Sequence, residues 1–181
     1  LFTDRIESSE DPLVRRLAPK LVNSITRAVH LCESTLAFGK AEEPAPTLTR
    51  FALSEMVADV IASERLAVEE FDLSFGEDIP AGLTVRADPE QMYRVVSNLV
   101  RNARQAIVAS GQPGEIAVSA TENDDAWLIT VRDTGPGLPP KAQEHLYQPF
   151  QGGIRKGGSG LGLAISQELV RGHGGMLTLS E

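Results

Sequence analysis

Residues 88–110 have the sequence DPEQMYRVVSNLVRNARQAIVAS, which predicts a long amphipathic helix with a clear start. Asp88 is a good N-cap, Pro89 suits the first helical position, and Gln91 completes a capping-box pattern. Apolar residues recur at helical spacing and form the predicted buried face: Met92, Val95, Val96, Leu99, Ala103, Ala106 and Ile107. The helix is expected to end near Gly111.

A β-hairpin is predicted directly after this helix. Residues 115–121 and 126–132 alternate between apolar and polar side chains, and the polar residues 122–125 between them form a natural turn. The alternation predicts an apolar face on each strand, made of Ile116, Val118 and Ala120 on the first and of Trp127, Ile129 and Val131 on the second.

The elements around the hairpin and the long helix indicate an α+β fold. Upstream, residues 51–67 predict a short strand and a helix, and residues 71–86 predict two short strands separated by residues 76–80. Downstream we expect a short helix at 139–146, a loop at 148–158, a helix from Ser159 or Gly160 to about Arg171, a glycine cap, and a strand at 176–180. Together they predict a two-layer α/β sandwich, with mixed strands on one side and helices on the other.

The N-terminal part has a different pattern. Residues 1–40 predict an α-helical hairpin segment with a kink at Pro19, and residues 41–49 predict a polar, proline-bearing linker before a domain at 50–181. The apolar stripe of the first segment needs a second helix and a second subunit to cover it, as in a bundle. Its residues are Leu13, Leu17, Leu21, Ile25, Ala28, Cys32 and Leu36.

Composition excludes several classes of protein. The net charge of −8 argues against a general nucleic-acid binder, which needs a basic face. The single cysteine, Cys32, excludes an internal disulfide, and no apolar run reaches the ~18 residues of a membrane span. Because the first residue is Leu1 and not Met, we expect a part of a longer protein, in which any membrane anchor lies outside this chain.

Three features in a fixed order have the residue types of a nucleotide site. Asn98 and Asn102 are four apart on the long helix, and an Asn oxygen is a hard, neutral ligand suited to Mg²⁺ beside phosphates. Asp133 ends a predicted strand and precedes two glycines, an arrangement that can accept a hydrogen bond from an exocyclic amine. Residues 157–162, GGSGLG, open a helix, and bare amides at a helix N-terminus bind phosphate.

Each feature alone has a plainer interpretation. The two asparagines share a face with Gln91, Arg94 and Gln105 and could be solvated surface. Residues 133–135 could be an ordinary turn, and glycine-rich helix starts recur by chance. The three features together, in this order, favour the site.

At this point the sequence resembles the GHKL ATPase superfamily, and specifically the sensor histidine kinases, over residues 50–181. The match of residues 1–40 to the dimerisation and phosphotransfer region is less specific. Residues 98–103 resemble the N box, 133–138 the G1 box, 146–150 the F box, 158–163 the G2 box, and 173–175 the tail after the last helix.

The resemblance implies a role for each matched position. Asn102 would coordinate Mg²⁺ and Asn98 would support the phosphates or the metal, so these two are the catalytic candidates. Asp133 would bind the adenine amine, and residues 151–159 would form a short ATP lid with Arg155 or Lys156 as phosphate contacts. The remaining cofactor-binding positions are Gly135 and Gly137 at the adenine and Gly158, Gly160, Leu161 and Gly162 at the phosphates.

The sequence departs from the family in two respects. The phosphoacceptor histidine of these kinases is normally followed by Glu or Asp, whereas His30 is followed by Leu31. His145 and His173 lie in the ATP-binding part, so we expect the acceptor to lie outside this chain. The family also usually continues past Glu181 with a further strand.

The resemblance implies the ATP-binding catalytic part of a two-component protein-histidine kinase that uses ATP and Mg²⁺. It also implies a response regulator as partner, a homodimer through the N-terminal helices and a cytoplasmic location for this domain, without nucleic-acid binding. Two alternatives stay open: a dimeric phosphotransfer or scaffold protein with a degenerate ATP site, and another GHKL ATPase, such as an anti-sigma serine kinase or a gyrase-like enzyme. Gyrase-like enzymes have Glu in place of Asn98 to activate water, and the poor basicity of Asn98 favours transfer over hydrolysis.

Overall fold

The computed structural model describes Val14 and residues 44–68, 71–123, 126–149 and 160–180. Apart from Val14, the predicted N-terminal helices lie outside the described residues, as do Lys156 and Gly158. The described elements, in chain order, are β1 (Thr49–Ala52), α1 (Leu53–Leu66), β2 (Leu73–Asp78), β3 (Thr84–Ala87), α2 (Pro89–Ser110), β4 (Gly114–Glu122), β5 (Trp127–Asp133), α3 (Pro140–Glu144) and α4 (Gly162–Gly172).

The long helix α2 has the predicted start and end. The Asp88 carboxylate accepts a hydrogen bond from the Gln91 N–H at 3.0 Å, and Gly111 ends the helix with φ of 70°. The predicted return bond of the capping box is wrong. Gln91 is buried and its Nε2 donates to the Pro44 carbonyl at 3.0 Å, while the Asp88 N–H donates to His173. Two tertiary contacts thus replace the local reciprocal bond.

The strands form two small sheets. β1 pairs antiparallel with β3, while β4 lies between a parallel β2 and an antiparallel β5. The hairpin of β4 and β5 is confirmed. The predicted break at residues 76–80 is too early, because β2 stays paired with β4 through Asp78 opposite Ser119.

The main core lies between the strands and the helices α1 and α2. Ile116, Val118 and Ala120 of β4 are at most 3% exposed and contact this core, as predicted. Trp127 alternates with Ile129 and Val131 as predicted, but it lies at the end of β5 opposite Glu122, is 38% exposed, and donates from Nε1 to Glu122. The helices contribute Leu53, Val57 and Val60 from α1 and Val96, Val100 and Ile107 from α2.

A second apolar cluster joins α2 to α4. Val95 is buried against Leu161, Ile165 and Leu169, with Leu99 packed beside them. α2 is therefore buried on two sides, while Val100, which the predicted face omitted, follows Val96 by one helical turn and is fully buried in the main core. α4 begins at Gly162, two to three residues later than expected.

The predicted strand at 176–180 is wrong. These residues have no regular structure, and Met176 and Leu179 are 82% and 48% exposed. A strand needs a pairing partner and a buried face, and among the described strands only β4 pairs with β5. The α+β class is confirmed, and no helix in the described ranges is long and apolar enough to cross a membrane.

Candidate functional site

One stripe of α2 organises the candidate site. Asn98, Asn102 and Ala106 are spaced four residues apart, so they lie one above the other on the same side of the helix. The first contacts α4, and the last lies beside the turn that follows β5. The start of α4 and the turn after β5 therefore contact the same face of α2, one helical turn before Asn102 and one helical turn after it.

Asn98 connects α2 to the start of α4. Its Nδ2 donates to the Gly162 carbonyl and to the Ser166 hydroxyl, both at 3.3 Å, and its Oδ1 accepts from the Arg101 guanidinium. Ser166 is fully buried beneath this contact. The interpretation of Asn98 as solvated surface is therefore wrong, and so is the same interpretation of Gln91, which is 7% exposed.

A tight turn fixes Asp133 at the end of β5. Its Oδ1 accepts from the Gly135 N–H at 2.8 Å, and Thr134 exchanges two hydrogen bonds with the backbone of Glu115, at 2.9 and 3.1 Å. A Cβ on Gly135 would lie 2.6 Å from Asp133 Oδ1 and 3.5 Å from Ala106 Cβ. Glycine is therefore required for the turn to approach α2, and the carboxylate stays exposed with acceptor capacity to spare.

Asn102 lies between these two contacts. Its side chain is half-buried and makes no hydrogen bond to any residue in the described part of the chain. The described residues contain no group of three or more His, Cys, Asp or Glu that could hold a metal. Mg²⁺ keeps several waters and shares its other positions between one or two protein oxygens and the phosphates, so one free amide oxygen fits it.

The start of α4 has the features of an anion site. Gly160 has φ of 70°, Leu161 is fully buried as an anchor, and no side chain in the described residues caps the helix. The first amides of a helix have no intrahelical partners, and together they form the positive end of its dipole. Gly162 lies beside Asn98 at this end of α4, because a Cβ on this glycine would be 3.5 Å from Asn98 Cγ.

The structure brings together Asn98, Asn102, Asp133, Gly135 and the start of α4. Gly137, with φ of 69°, continues the turn after Asp133. Of the residues matched to the F box, Leu146 is buried, and burial raises the pKa of the Tyr147 hydroxyl.

Sequence reasoning missed four residues that hold the site. Arg101 and Ser166 hold Asn98, and Thr134 holds the turn after Asp133. A Cβ on Gly114 would lie 2.6 Å from Ile107 Cγ2, so this glycine lets β4 approach α2. Helical spacing could have suggested Arg101, three residues after Asn98, whereas nothing local signals the others.

The histidines that the structure describes have different surroundings. Both ring nitrogens of His173 are occupied, because Nδ1 lies 2.8 Å from the Leu169 carbonyl and Nε2 accepts from the Asp88 N–H. His145 is exposed. His173 is therefore a structural residue that joins α4 to α2.

Residues 87–181 match the family model described as histidine kinase-, DNA gyrase B- and HSP90-like ATPase. The sensor histidine kinase RppB of Synechocystis sp. is 31% identical over 185 residues, which cover 97% of this chain and 40% of RppB. These matches include every predicted site position.

Two solved structures of histidine kinases share the fold. Full-length ShkA in complex with AMPPNP superposes with a TM-score of 0.76 at 22% identity, over 96% of this chain and 37% of ShkA. Histidine kinase ThkA in complex with the response regulator protein TrrA gives a TM-score of 0.67 at 25% identity, over 96% of this chain and 49% of that one. The chain spans less than half the length of each of these three proteins.

Proposed function

Because the chain belongs to the histidine kinase-, DNA gyrase B- and HSP90-like ATPase family, as a catalytic ATPase domain of the sensor histidine kinase type, we propose that one face of α2 binds ATP with Mg²⁺. The observation that carries the proposal is the stripe of Asn98, Asn102 and Ala106. It has an exposed carboxylate turn at one end, an uncapped helix start at the other, and a free amide oxygen between them.

Each end of the stripe suits one part of the nucleotide. The Asp133 carboxylate accepts a hydrogen bond from the adenine amine, and Gly135 and Gly137 leave room for the adenine ring. The amides at Gly160, Leu161 and Gly162 bind phosphate oxygens, and Asn98 supports them through α4. By resemblance alone, Lys156 and Gly158 add phosphate contacts.

Asn102 is the proposed magnesium ligand. Its oxygen is the hard, neutral donor that Mg²⁺ accepts beside phosphates. When bound, Mg²⁺ would neutralise phosphate charge, which phosphoryl transfer requires. The residues of this chain then act by holding the nucleotide and excluding unproductive orientations.

In the whole protein, the γ-phosphoryl group of ATP passes to a histidine outside this chain and then to an aspartate of a response regulator. The kinase names of the relatives and the AMPPNP and response-regulator complexes of the two neighbours support this proposal. We further propose a homodimer through residues 1–40 and a cytoplasmic location for this domain.

Calorimetric titration of the 181-residue chain with ATP and Mg²⁺ tests the site. We expect Asp133→Asn to weaken ATP binding at least tenfold, because the N–H groups of the asparagine amide would face the N–H groups of the adenine amine. Asp78→Asn removes an exposed carboxylate at the end of β2 and is the matched control. Equal affinity of wild type and Asp133→Asn would overturn the adenine assignment.

The same titration separates the scaffold alternative from the kinase, and an assay of ATP hydrolysis and phosphoprotein in the whole protein separates the gyrase-like alternative. A scaffold with a degenerate site would bind no nucleotide. A gyrase-like enzyme would hydrolyse ATP without forming phosphoprotein in the whole protein. Asn98 is an amide whose nitrogen is committed to α4, so it cannot activate water, and this favours phosphoryl transfer.

A further inference from the structure

Arg101 lies at the junction of α1, α2 and the Asn98 amide. Burial lowers the pKa of its guanidinium, and Glu64 of α1 and Arg104 of α2 are its charged neighbours. Arg104 Nε is paired with Glu64 Oε2 at 2.5 Å. The guanidinium of Arg101 reaches back along α2 and donates from Nη2 to Asn98 Oδ1.

This bond fixes which way the Asn98 amide faces. With Oδ1 turned toward Arg101, Nδ2 faces the Gly162 carbonyl and the Ser166 hydroxyl. The flipped amide would place its N–H groups against the guanidinium and its oxygen against the Gly162 carbonyl, so two attractive contacts would become repulsive. Ser166 is fully buried, so bulk solvent does not reach its side chain to compensate.

The Asn98 amide in turn holds the first residue of α4. Gly162 belongs to the turn whose amides would receive phosphate, and its carbonyl is the group that Asn98 binds. A helix start can bind an anion tightly only if its amides are held in place beforehand. The chain of contacts therefore runs from Arg101 through Asn98 to the phosphate end of the site.

We propose that Arg101 is a positioning residue for nucleotide phosphates, acting through the Asn98 amide on the start of α4 without touching the ligand. The inference rests on the proposed function, since it concerns the same ATP site. It separates two roles that the sequence pattern merges: Asn102 ligates the metal, while Asn98 and Arg101 orient the phosphate-binding turn.

A double-mutant cycle tests the proposal. Affinities for ATP with Mg²⁺ and for adenosine are measured for wild type, Arg101→Leu, Asn98→Ala and the double variant, all in the 181-residue chain. We expect Arg101→Leu to weaken ATP binding about tenfold and to leave adenosine binding unchanged. In the Asn98→Ala background, Arg101→Leu should have no further effect on ATP affinity, because the amide that Arg101 orients is already absent.

The conservative variant and a matched control complete the design. Arg101→Lys keeps one donor for Asn98 Oδ1 and should bind ATP within about threefold of wild type. Arg104→Leu removes a positive charge one turn further along α2. It should lower the stability of the domain, because it breaks the ion pair with Glu64, but leave ATP affinity unchanged. Amide hydrogen exchange at Gly162 and Leu163 without nucleotide should be faster in Arg101→Leu and normal in Arg104→Leu.

The outcomes of these measurements distinguish failure of the positioning role from failure of the ATP site itself. Additive losses in the cycle would mean that Arg101 contacts the phosphates directly, and they would overturn the proposal. Unchanged ATP affinity in Arg101→Leu with normal binding by wild type would overturn it as well, while the ATP site would stand. Wild type that binds neither ATP nor adenosine would refute the proposed function, and unchanged exchange at Gly162 would then refute the positioning role independently.

Discussion

The Asp88 backbone N–H donates a hydrogen bond to His173 Nε2 at 3.0 Å, and this contact joins the N-terminus of α2 to the C-terminus of α4 across 85 residues of sequence. The other ring nitrogen, Nδ1, lies 2.8 Å from the Leu169 carbonyl. The imidazole thus accepts at Nε2 and contacts a carbonyl oxygen at Nδ1. It satisfies the N–H at the start of α2 and adds a side-chain contact to the Leu169 carbonyl, which also accepts from the His173 backbone N–H at 3.3 Å.

His173→Ala should destabilise the domain by about 1–2 kcal/mol, because it leaves the partly buried Asp88 N–H without its acceptor. Urea unfolding followed by circular dichroism measures the change. His145→Ala replaces an exposed histidine and should stay within about 0.5 kcal/mol of wild type. Equal losses in the two variants would contradict the structural role of His173.

The stability of the domain should depend on the charge of Asp88. Hydrogen bonds from the backbone N–H groups of Gln91 and then Thr47 hold the pKa of this carboxyl below its ordinary value. A group with a lowered folded-state pKa stabilises the protein above its unfolded pKa, and this contribution is lost as the pH falls through the folded value.

We therefore expect Asp88→Asn to be less stable than wild type at pH 7, and the difference to shrink below about pH 4, where an unfolded Asp is protonated. Asp88→Ala, which removes the cap entirely, should cost about 1 kcal/mol at neutral pH. Thermal unfolding between pH 3 and 8 measures both. A difference between wild type and Asp88→Asn that does not vary with pH would show that the charge plays no part.

Local signals were enough to predict α2 and the hairpin, because caps, turns and apolar periodicity all lie within each segment. The errors arose where a distant residue decides the outcome. The Gln91 side chain donates to the Pro44 carbonyl, and the Asp88 N–H, its expected local partner, donates to His173 instead. The apolar alternation of residues 176–180 could not reveal that no described strand pairs with them.

The same distinction holds for the candidate site. Asn98, Asp133 and Gly162 were predicted because their residue types, order and spacing match a known pattern. Arg101 and Ser166 were not, since their importance depends on which way the Asn98 amide faces, and its partners Gly162 and Ser166 lie 64 and 68 residues away. Contacts of this kind become visible only when α4 is packed on α2.

Two glycines of the site should respond differently to alanine. At Gly135 a Cβ would lie 2.6 Å from Asp133 Oδ1, so the turn must open and the carboxylate must move. We expect Gly135→Ala to weaken ATP and adenosine binding at least tenfold. At Gly162 the nearest atoms lie 3.5 Å away, in ordinary contact with Asn98, so Gly162→Ala should fold with unchanged stability or a small gain.

Calorimetry with both ligands and thermal unfolding measure these effects. Adenosine binding by Gly162→Ala should equal that of wild type, because this glycine lies at the phosphate end of the site. Loss of adenosine binding in Gly162→Ala but not in Gly135→Ala would reverse the proposed orientation of the nucleotide on α2.

Among the glycines of β4 and of the strands paired with it, Gly114 should tolerate substitution by alanine least. A Cβ there would lie 2.6 Å from Ile107 Cγ2, 3.0 Å from Ile107 Cδ1 and 3.1 Å from Thr134 Oγ1. Ile107 is 1% exposed within the core, so it cannot turn away without disturbing α2. Gly114→Ala should therefore destabilise the domain by about 1–3 kcal/mol through overpacking.

Gly76→Ala is the matched control, because Gly76 lies in β2 beside the same strand and a Cβ there has no neighbour closer than 3.6 Å. It should be neutral, or stabilising by up to about 1 kcal/mol, because alanine loses less backbone entropy on folding. Ile107→Val in the Gly114→Ala background removes the methyl group of Ile107 that lies 3.0 Å from the new Cβ. Because the closer Cγ2 remains in valine, only part of the lost stability should return, and a Gly114→Ala variant as stable as Gly76→Ala would contradict the predicted overpacking between β4 and α2.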